Sequence, residues 1–242
     1  MQRWGYYTRH MFALLGFNFY MQSLKKIDRQ LLKWAYQRPY ENSLPIKALI
    51  FTGDAMFWMM FLFITLIAGQ LLNSEPLKQL TIQLMLASLI GIIIFLFCKT
   101  YVKRRRPYAN HQLQQDLNIK IENRDTFYAS KQFESFPSGH VLWTTISVSL
   151  ICFQFGYIYV LLLGWMIPAM IYLRPHLGVH YPSDVVVSLA LGIIIVSLIL
   201  FITPGIVEYT NSLRGNAVYT CGYWAFAICF MVIAVKIWLK RI

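Results

Sequence analysis

Charge is scarce in this chain. Asp, Glu, Lys and Arg make up 13% of its 242 residues, and only 10 of them are acidic against 22 basic ones. A soluble domain carries about 25% charged residues. At 57% hydrophobic composition, the shortfall excludes an ordinary soluble globule, and it excludes a disordered chain, which would be polar and charge-rich. Cysteine is also sparse. Cys98, Cys152, Cys221 and Cys229 lack CxxC or metal-ligand spacing and lie in or beside apolar runs, so they read as small buried hydrophobes. There is no GxxxxGK[ST] loop, no internal repeat, no low-complexity segment and no carboxylate or His cluster suited to a two-metal centre.

What is present is apolar sequence in long blocks. Uncharged stretches run over Ala55–Leu72, Leu80–Cys98, Val141–Leu173, Val185–Thr203 and Gly215–Val235. A membrane span needs about 20 such residues. The third block has 33 residues, about 50 Å as one helix, and Gly156 near its middle offers a turn, so it reads as a hairpin of two spans. The expected fold is all-α: an integral membrane six-helix bundle over residues 46–242, preceded by a segment 1–45. In that segment Leu24, Ile27, Leu31 and Trp34 recur at helical spacing while Lys25, Lys26, Arg29 and Lys33 occupy other faces, the pattern of a helix lying in the membrane interface. Residues Met11–Met21 are too short and polar for a span, and no small-residue cleavage site follows them.

Counting crossings puts the N-terminal segment, loop 99–137, loop 174–184 and the C-terminus on one side. Asn73–Pro76, Gly156 and loop 204–214 fall on the other. The two loops richest in polar groups therefore share one membrane surface. The net charge of +12, set beside apolar runs, points to lipid head groups or phosphates as partners and away from nucleic acid. By the positive-inside rule the same charges assign that surface to the cytoplasm. Asp54, at the start of the first span, is either a functional group, the default for an acidic residue in a membrane segment, or, as its place toward the polar surface favours, an interfacial or helix-packing one.

Three segments on that surface carry chemistry. Lys99–Pro107 reads KTYVKRRRP, with five basic residues among the eight from Lys99 to Arg106. It is either a topology-setting flank or a phosphate clamp, since Arg offers a rigid fork and Lys a point charge. Pro137-Ser138-Gly139-His140 opens a span. It is either a plain helix start with an interfacial His or a phosphate site made of free helix-start amides with His140 beside them. Arg174–Asp184 reads RPHLGVHYPSD. His180 and Asp184 are four apart, so one helical turn can place a carboxylate beside the imidazole to fix its tautomer and stabilise its charged form. Asp184 could also merely cap the next helix, which leaves His180 unexplained; His176 is expected to pack. Taken together, basic ligands, helix-start amides, two His and one Asp make the inventory for phosphoryl transfer through a nucleophilic His.

These residues resemble the type 2 phosphatidic acid phosphatase (PAP2) superfamily, whose pattern is K-x6-R-P, P-S-G-H and S-R-x5-H-x3-D. The chain has Lys99-x6-Arg106-Pro107, Pro137-Ser138-Gly139-His140 and Arg174-x5-His180-x3-Asp184, with Leu173 where the family has Ser. The resemblance covers residues 99–184. It implies a lipid phosphate phosphatase of a bacterial cytoplasmic membrane that works without a metal or other cofactor. His180 would attack phosphorus to give a phosphohistidine, Asp184 would orient and charge-balance it, and His140 would protonate the leaving oxygen and then activate water. Lys99, Arg106, Arg174, Ser138 and Gly139 would hold the phosphate. Members of this kind act on undecaprenyl diphosphate, phosphatidylglycerophosphate, phosphatidate or lipid A phosphates, usually from the outer face of the membrane. The rival readings are a lipid phosphotransferase, a haloperoxidase-like vanadate site and a non-enzymatic transporter. The sequence leaves substrate and oligomeric state open, and Asp116, Glu122, Asp125 and Glu134 in loop 99–137 read as solvated charges.

Overall fold

The computed structural model describes residues 17–125 and 133–212, with isolated positions beyond 220. Among the described residues all regular structure is helical: α1 Phe17–Tyr36, α2 Leu44–Thr52, α3 Ala55–Leu71, α4 Glu75–Val102, α5 His111–Leu117, α6 Gly139–Phe155, α7 Tyr157–Leu163, α8 Met166–His176 and α9 Pro182–Ser212, with a 3₁₀ turn at Pro107–Ala109.

The helix at the centre is α6. It packs against α3, α4, α7, α8 and α9, and every residue from Val141 to Val148 is buried. A helix that is apolar or small on all sides belongs inside a bundle rather than at its rim. Leu142, Ile146 and Leu150 of α6 meet Leu80, Leu84 and Ala87 of α4 and Ile195 and Ile199 of α9 in the main core. The outward faces of the surrounding helices stay apolar: Ile93, Leu96 and Phe97 on α4, Tyr157, Leu161 and Leu162 on α7, and Ile194 and Phe201 on α9 are exposed. A surface of this composition suits hydrocarbon, not water.

Three helical stretches, Glu75–Ala109, Tyr157–His176 and Pro182–Glu208, are long and apolar enough to cross a membrane on their own. A fourth crossing arises if Leu44–Thr52 and Ala55–Leu71, bent by 66°, count as one broken span. The straight span expected from Ala55 is thus the second limb of an angled pair. Its corner is Gly53–Asp54, and Asp54, only 3% exposed, caps α3 by accepting from the Met56 amide at 2.7 Å; this is a helix-packing role. The hairpin expected at Gly156 is present, with φ +89° at that glycine, but α6 has only 17 residues, a little short of a standard span. The sixth expected span, 215–235, lies outside the described residues apart from isolated positions.

The first helix forms where the 3.6-residue periodicity places it. Its packing face is Asp28, Leu32, Ala35 and Tyr36, all buried, whereas Ile27, Leu31 and Trp34 are about half exposed. It lies on α8, α9 and α5, at the end of the bundle where α4 ends and α6 and α9 begin.

Candidate active site

That end of the bundle gathers the three polar segments. The first is the start of α6. The Phe136–Pro137 peptide is cis, and Ser138 stands at the N-cap without a side-chain cap. Its amide donates to Ser188 Oγ at 2.7 Å, and that hydroxyl donates in turn to the Asp184 carbonyl at 2.6 Å, so α6 is tied to α9 at its first residue. The Ser138 hydroxyl is buried and has no partner among the described residues. His140 follows in the first turn, half-buried. The corner residue Gly53 passes so close that a Cβ there would lie 3.0 Å from His140 Cδ2.

The second segment is the α8–α9 connection. Gly178 adopts φ +74° and leaves no room for a side chain, since a Cβ would come 2.7 Å from Ile121 Cγ2. Its carbonyl accepts from the Tyr108 amide at 3.2 Å, and that of Leu177 from the Arg124 amide at 3.1 Å, which stitches loop 99–137 to this turn. His180 is 2% exposed. Its Nδ1 lies 2.5 Å from the Ser135 carbonyl oxygen and 3.7 Å from Asp184 Oδ2. A carbonyl only accepts, so Nδ1 carries the proton and the lone pair of the neutral ring resides on Nε2. Burial pushes the imidazole well below its ordinary value, and the positive charges of Arg106, Arg174 and Lys99 push the same way, against the Ser135 hydrogen bond. His180 is therefore neutral at pH 7, as a nucleophile requires.

Asp184 is fully buried and held from three sides: by Arg104 Nη1 at 2.6 Å, Ser135 Oγ at 2.5 Å and the Tyr181 amide at 3.0 Å. The tight partner of His180 is thus a main-chain carbonyl, with the carboxylate nearby as a fixed negative charge. Arg104 also donates to Asp28 of α1 at 2.7 Å.

The third segment supplies the cations. Lys99 Nζ, over the Phe95 ring, donates to the Glu134 carbonyl, and Arg106 donates to the Val179 carbonyl at 3.2 Å. Arg174 is 2% exposed. Its Nη2 donates to Asp125 Oδ2 at 2.9 Å, while its Nε and Nη1 are buried with no partner among the described residues. An unsatisfied buried guanidinium edge is costly, and a phosphate oxygen pair fits it.

All eight residues singled out in the sequence, Lys99, Arg106, Ser138, Gly139, His140, Arg174, His180 and Asp184, thus belong to segments that converge at one end of the bundle. Leu173 faces away, buried among Ile50, Val141, Met170 and Val185, so its neighbourhood is core rather than phosphate site. His176 packs as expected, with Nδ1 2.7 Å from the Ala35 carbonyl oxygen and its ring stacked on Tyr172. Asp125 corrects the expectation of a solvated charge: it is buried against Arg174, because the turn at Gly178 draws its loop inward. Asp116 and Glu122 do sit in exposed pairs, with Arg29 and Lys120. Asp28, Arg104, Ser135 and Ser188 join Asp125 around the site and were not singled out in the sequence; inside a KRRR run nothing distinguishes Arg104 from its neighbours. Among the described residues no group of three or more His, Cys, Asp or Glu side chains comes together as a metal site.

Comparison with known proteins bears on the fold and the family. No curated protein matches the sequence. Two crystal structures share the fold: LpxE of Aquifex aeolicus, at 20% identity and TM-score 0.55 over 71% of this chain and 93% of that one, and a transmembrane PAP2-type phosphatidylglycerolphosphate phosphatase of Bacillus subtilis, at 14% identity and TM-score 0.56 over 85% and 95%. The family model of the PAP2 superfamily matches residues 79–208, more than half of the chain and all three polar segments. The chain therefore belongs to the PAP2 superfamily and is a phosphoric ester hydrolase of an integral membrane type.

Proposed function

We propose that this protein hydrolyses the phosphate or diphosphate head of a membrane lipid, of the undecaprenyl diphosphate, phosphatidylglycerophosphate or phosphatidate type, through a phosphohistidine at His180. The observation that carries the reading is that, among the described residues, the buried Nε and Nη1 of Arg174 and the Ser138 hydroxyl have no partner, in a site where Arg174 acts electrostatically on the neutral His180. These are donors waiting for an oxyanion.

In the first step His180 Nε2 attacks phosphorus, the bond to the lipid oxygen breaks, and His140 gives that oxygen a proton. Lys99, Arg106 and Arg174, with the Ser138 hydroxyl and the Gly139 amide at the positive end of α6, hold the remaining oxygens as charge redistributes, the Ser138 amide being engaged by Ser188. The proton stays on Nδ1, donated to the Ser135 carbonyl, and Asp184 balances the positive ring. In the second step His140 takes a proton from water, the water oxygen bonds to phosphorus, the P–N bond breaks and inorganic phosphate leaves.

The apolar flanks of α4, α7 and α9 support a bilayer setting, with the site at its surface so that a lipid can present its head while its tail remains in hydrocarbon. The exposed Ile27–Leu31–Trp34 stripe supports an interfacial position for α1. We propose the outer face of a bacterial inner membrane for the site, as the family resemblance implies; its clamp cations are explained by phosphate binding, whereas Lys25, Lys26, Arg29, Lys33, Lys240 and Arg241 favour the cytoplasmic side by the positive-inside rule. Cysteine labelling in loop 99–137 of intact cells tests that side.

The decisive experiment assays purified protein against a panel of lipid phosphates for release of inorganic phosphate, with acid quenching avoided so that a base-stable phosphoramidate can be trapped. His180→Ala is expected to be folded and inactive, with no adduct. Full activity in that variant overturns the mechanism. A doubly phosphorylated lipid in place of free phosphate assigns a phosphotransferase instead.

A further inference from the structure

Three residues that occupy no fixed position of the family pattern meet behind Asp184. Asp28 projects from α1 and Arg104 from the connection after α4, and Ser183 precedes Asp184 in the first turn of α9. Arg104 Nη1 donates to both Asp184 Oδ1 and Ser183 Oγ, at 2.6 and 2.7 Å. Its Nη2 donates to Asp28 Oδ2 at 2.7 Å. Asp28 in turn accepts from the Ser183 amide through Oδ1 at 2.7 Å and from the Ser183 hydroxyl through Oδ2 at 2.9 Å. The guanidinium plane lies over the Tyr181 ring, 3.8 Å from its centroid. Asp28 and Asp184 have side chains only 9% and 0% exposed.

We infer that Asp28 and Arg104 are positioning residues for the reaction, a guanidinium bridge by which the N-terminal helix sets the place of the Asp184 carboxylate beside His180. The inference rests on the reading of His180 as nucleophile. Oδ2 of Asp184 is taken by Ser135 Oγ and the Tyr181 amide, and Oδ1 by Arg104, so the carboxylate can neither rotate nor close the 3.7 Å gap to His180 Nδ1. Without Arg104 only the Oδ2 anchors remain. Without Asp28, Arg104 loses the carboxylate that fixes its other nitrogen, and Ser183 loses the acceptor for its amide. A planar fork bridging two buried carboxylates is a geometry that Lys cannot reproduce. The exposed pair between Arg29 of the same helix and Asp116 of α5, with side chains 44% and 41% exposed, contributes little by comparison.

The test uses full-length protein in detergent micelles with dioctanoyl phosphatidate as substrate and inorganic phosphate as competing product. Arg104→Gln and Asp28→Asn are each expected to lower kcat about 10- to 100-fold, the scale of a small misplacement in a reacting constellation. KM and the inhibition constant for phosphate should stay within about twofold, because the phosphate ligands are untouched. The double variant should be no slower than the worse single one, since the two residues act as one unit. Arg29→Gln should match the wild type. Activities are taken per folded protein; if Arg104→Gln does not fold, Asp28→Asn, which is isosteric, and Ser183→Ala carry the same comparison. A wild-type kcat in Asp28→Asn, a rise in KM with kcat kept, or single losses that multiply in the double variant overturn the pair. If His180→Ala is inactive while these results appear, the inference alone fails; activity in His180→Ala overturns the underlying reading and the pair with it.

Discussion

The Nδ1 of His180 donates to the main-chain carbonyl of Ser135 at 2.5 Å, closer than the 3.7 Å to the carboxylate of Asp184. The tautomer of His180 is therefore set by backbone, which no side-chain substitution removes, while the Ser135 side chain serves Asp184 instead, donating at 2.5 Å. The two functions of Ser135 can be separated. Ser135→Ala keeps the carbonyl and loses one hydrogen bond to a charged group, a loss of about 1.5–3 kcal/mol. We expect kcat to fall about 10- to 100-fold, measured as steady-state phosphate release, with the phosphohistidine still formed. A variant as inactive as His180→Ala would contradict this division.

The second prediction concerns pH. Burial and the charges of Arg106, Arg174 and Lys99 hold His180 below the ordinary histidine range. A group whose folded value is depressed stays neutral as the pH falls through about 6.5 and charges only further into acid. The proposed nucleophile thus stays neutral across the range in which a solvent-exposed His becomes charged. The unfolded chain takes up that proton first, so stability present above about 6.5 declines as the pH drops below it. Removing one facing charge in Arg174→Gln should move the imidazole back up toward its ordinary value. NMR titration of ¹³C-labelled histidines in the substrate-free protein, with His180 identified by its absence in His180→Ala, checks both directions; an ordinary titration in the wild type would contradict them.

The site was legible in the sequence to the extent that its chemistry sits at fixed spacings. Lys99, Arg106, the Pro137–His140 turn, Arg174, His180 and Asp184 each belong to a short segment at a span end, and the parity of the apolar blocks is enough to bring those ends together. What escaped was whatever depends on tertiary packing. Arg104 is one of four consecutive basic residues, and only the approach of α1 and α9 separates its role from that of Arg105, which is exposed and stacked on Phe133. Asp125 looks like any loop carboxylate until the Gly178 turn draws it onto Arg174. The stripe Ile27–Leu31–Trp34 announces a helix, yet the face packed on the protein is the neighbouring one with Asp28, because a buried acid paired across 76 residues of chain leaves no local pattern. Likewise, hydropathy finds the apolar block after Ala55 but not its 66° corner, since a broken span and a straight one have the same composition.

Arg174 and Asp125 give the third prediction. The pair is buried on both sides, at 2% side-chain exposure each, and removing one partner of such a pair costs about 3–5 kcal/mol. Asp125→Ala should therefore lower the melting temperature markedly. Inorganic phosphate should stabilise the wild type, because it binds the folded state at the partnerless Nε and Nη1, and it should partly restore the melting temperature of Asp125→Ala. In Arg174→Gln the phosphate-dependent shift should shrink or vanish. A phosphate shift of wild-type size in that variant would place the anion elsewhere.

The cationic set also bears on metal dependence. Lys99, Arg106 and Arg174 can neutralise a phosphoryl group without a divalent ion. Phosphate release is expected to be unchanged by EDTA. Activity lost to the chelator and restored only by added Mg²⁺ would assign the protein a different chemistry.

The last prediction addresses how His140 is aimed. It stands in the first turn of α6, and the wall it leans on is the corner between α2 and α3. A Cβ at Gly53 would sit 3.0 Å from His140 Cδ2 and 2.6 Å from Met170 Cε. The methionine end is flexible and can give way, whereas the imidazole is attached to a buried helix start and yields only by turning its ring. Gly53→Ala should therefore preserve folding and phosphate affinity and lower kcat, since a small displacement of a general acid is costly when the reacting atoms are already held. In the proposed mechanism His140 acts in both steps, so the loss should show in phosphohistidine formation and in its hydrolysis, measured by rapid quench into base. A slow second step with a normal first one would mean that Gly53 shapes the access of water rather than the position of His140. Unchanged rates in both steps would mean that the corner has room to spare.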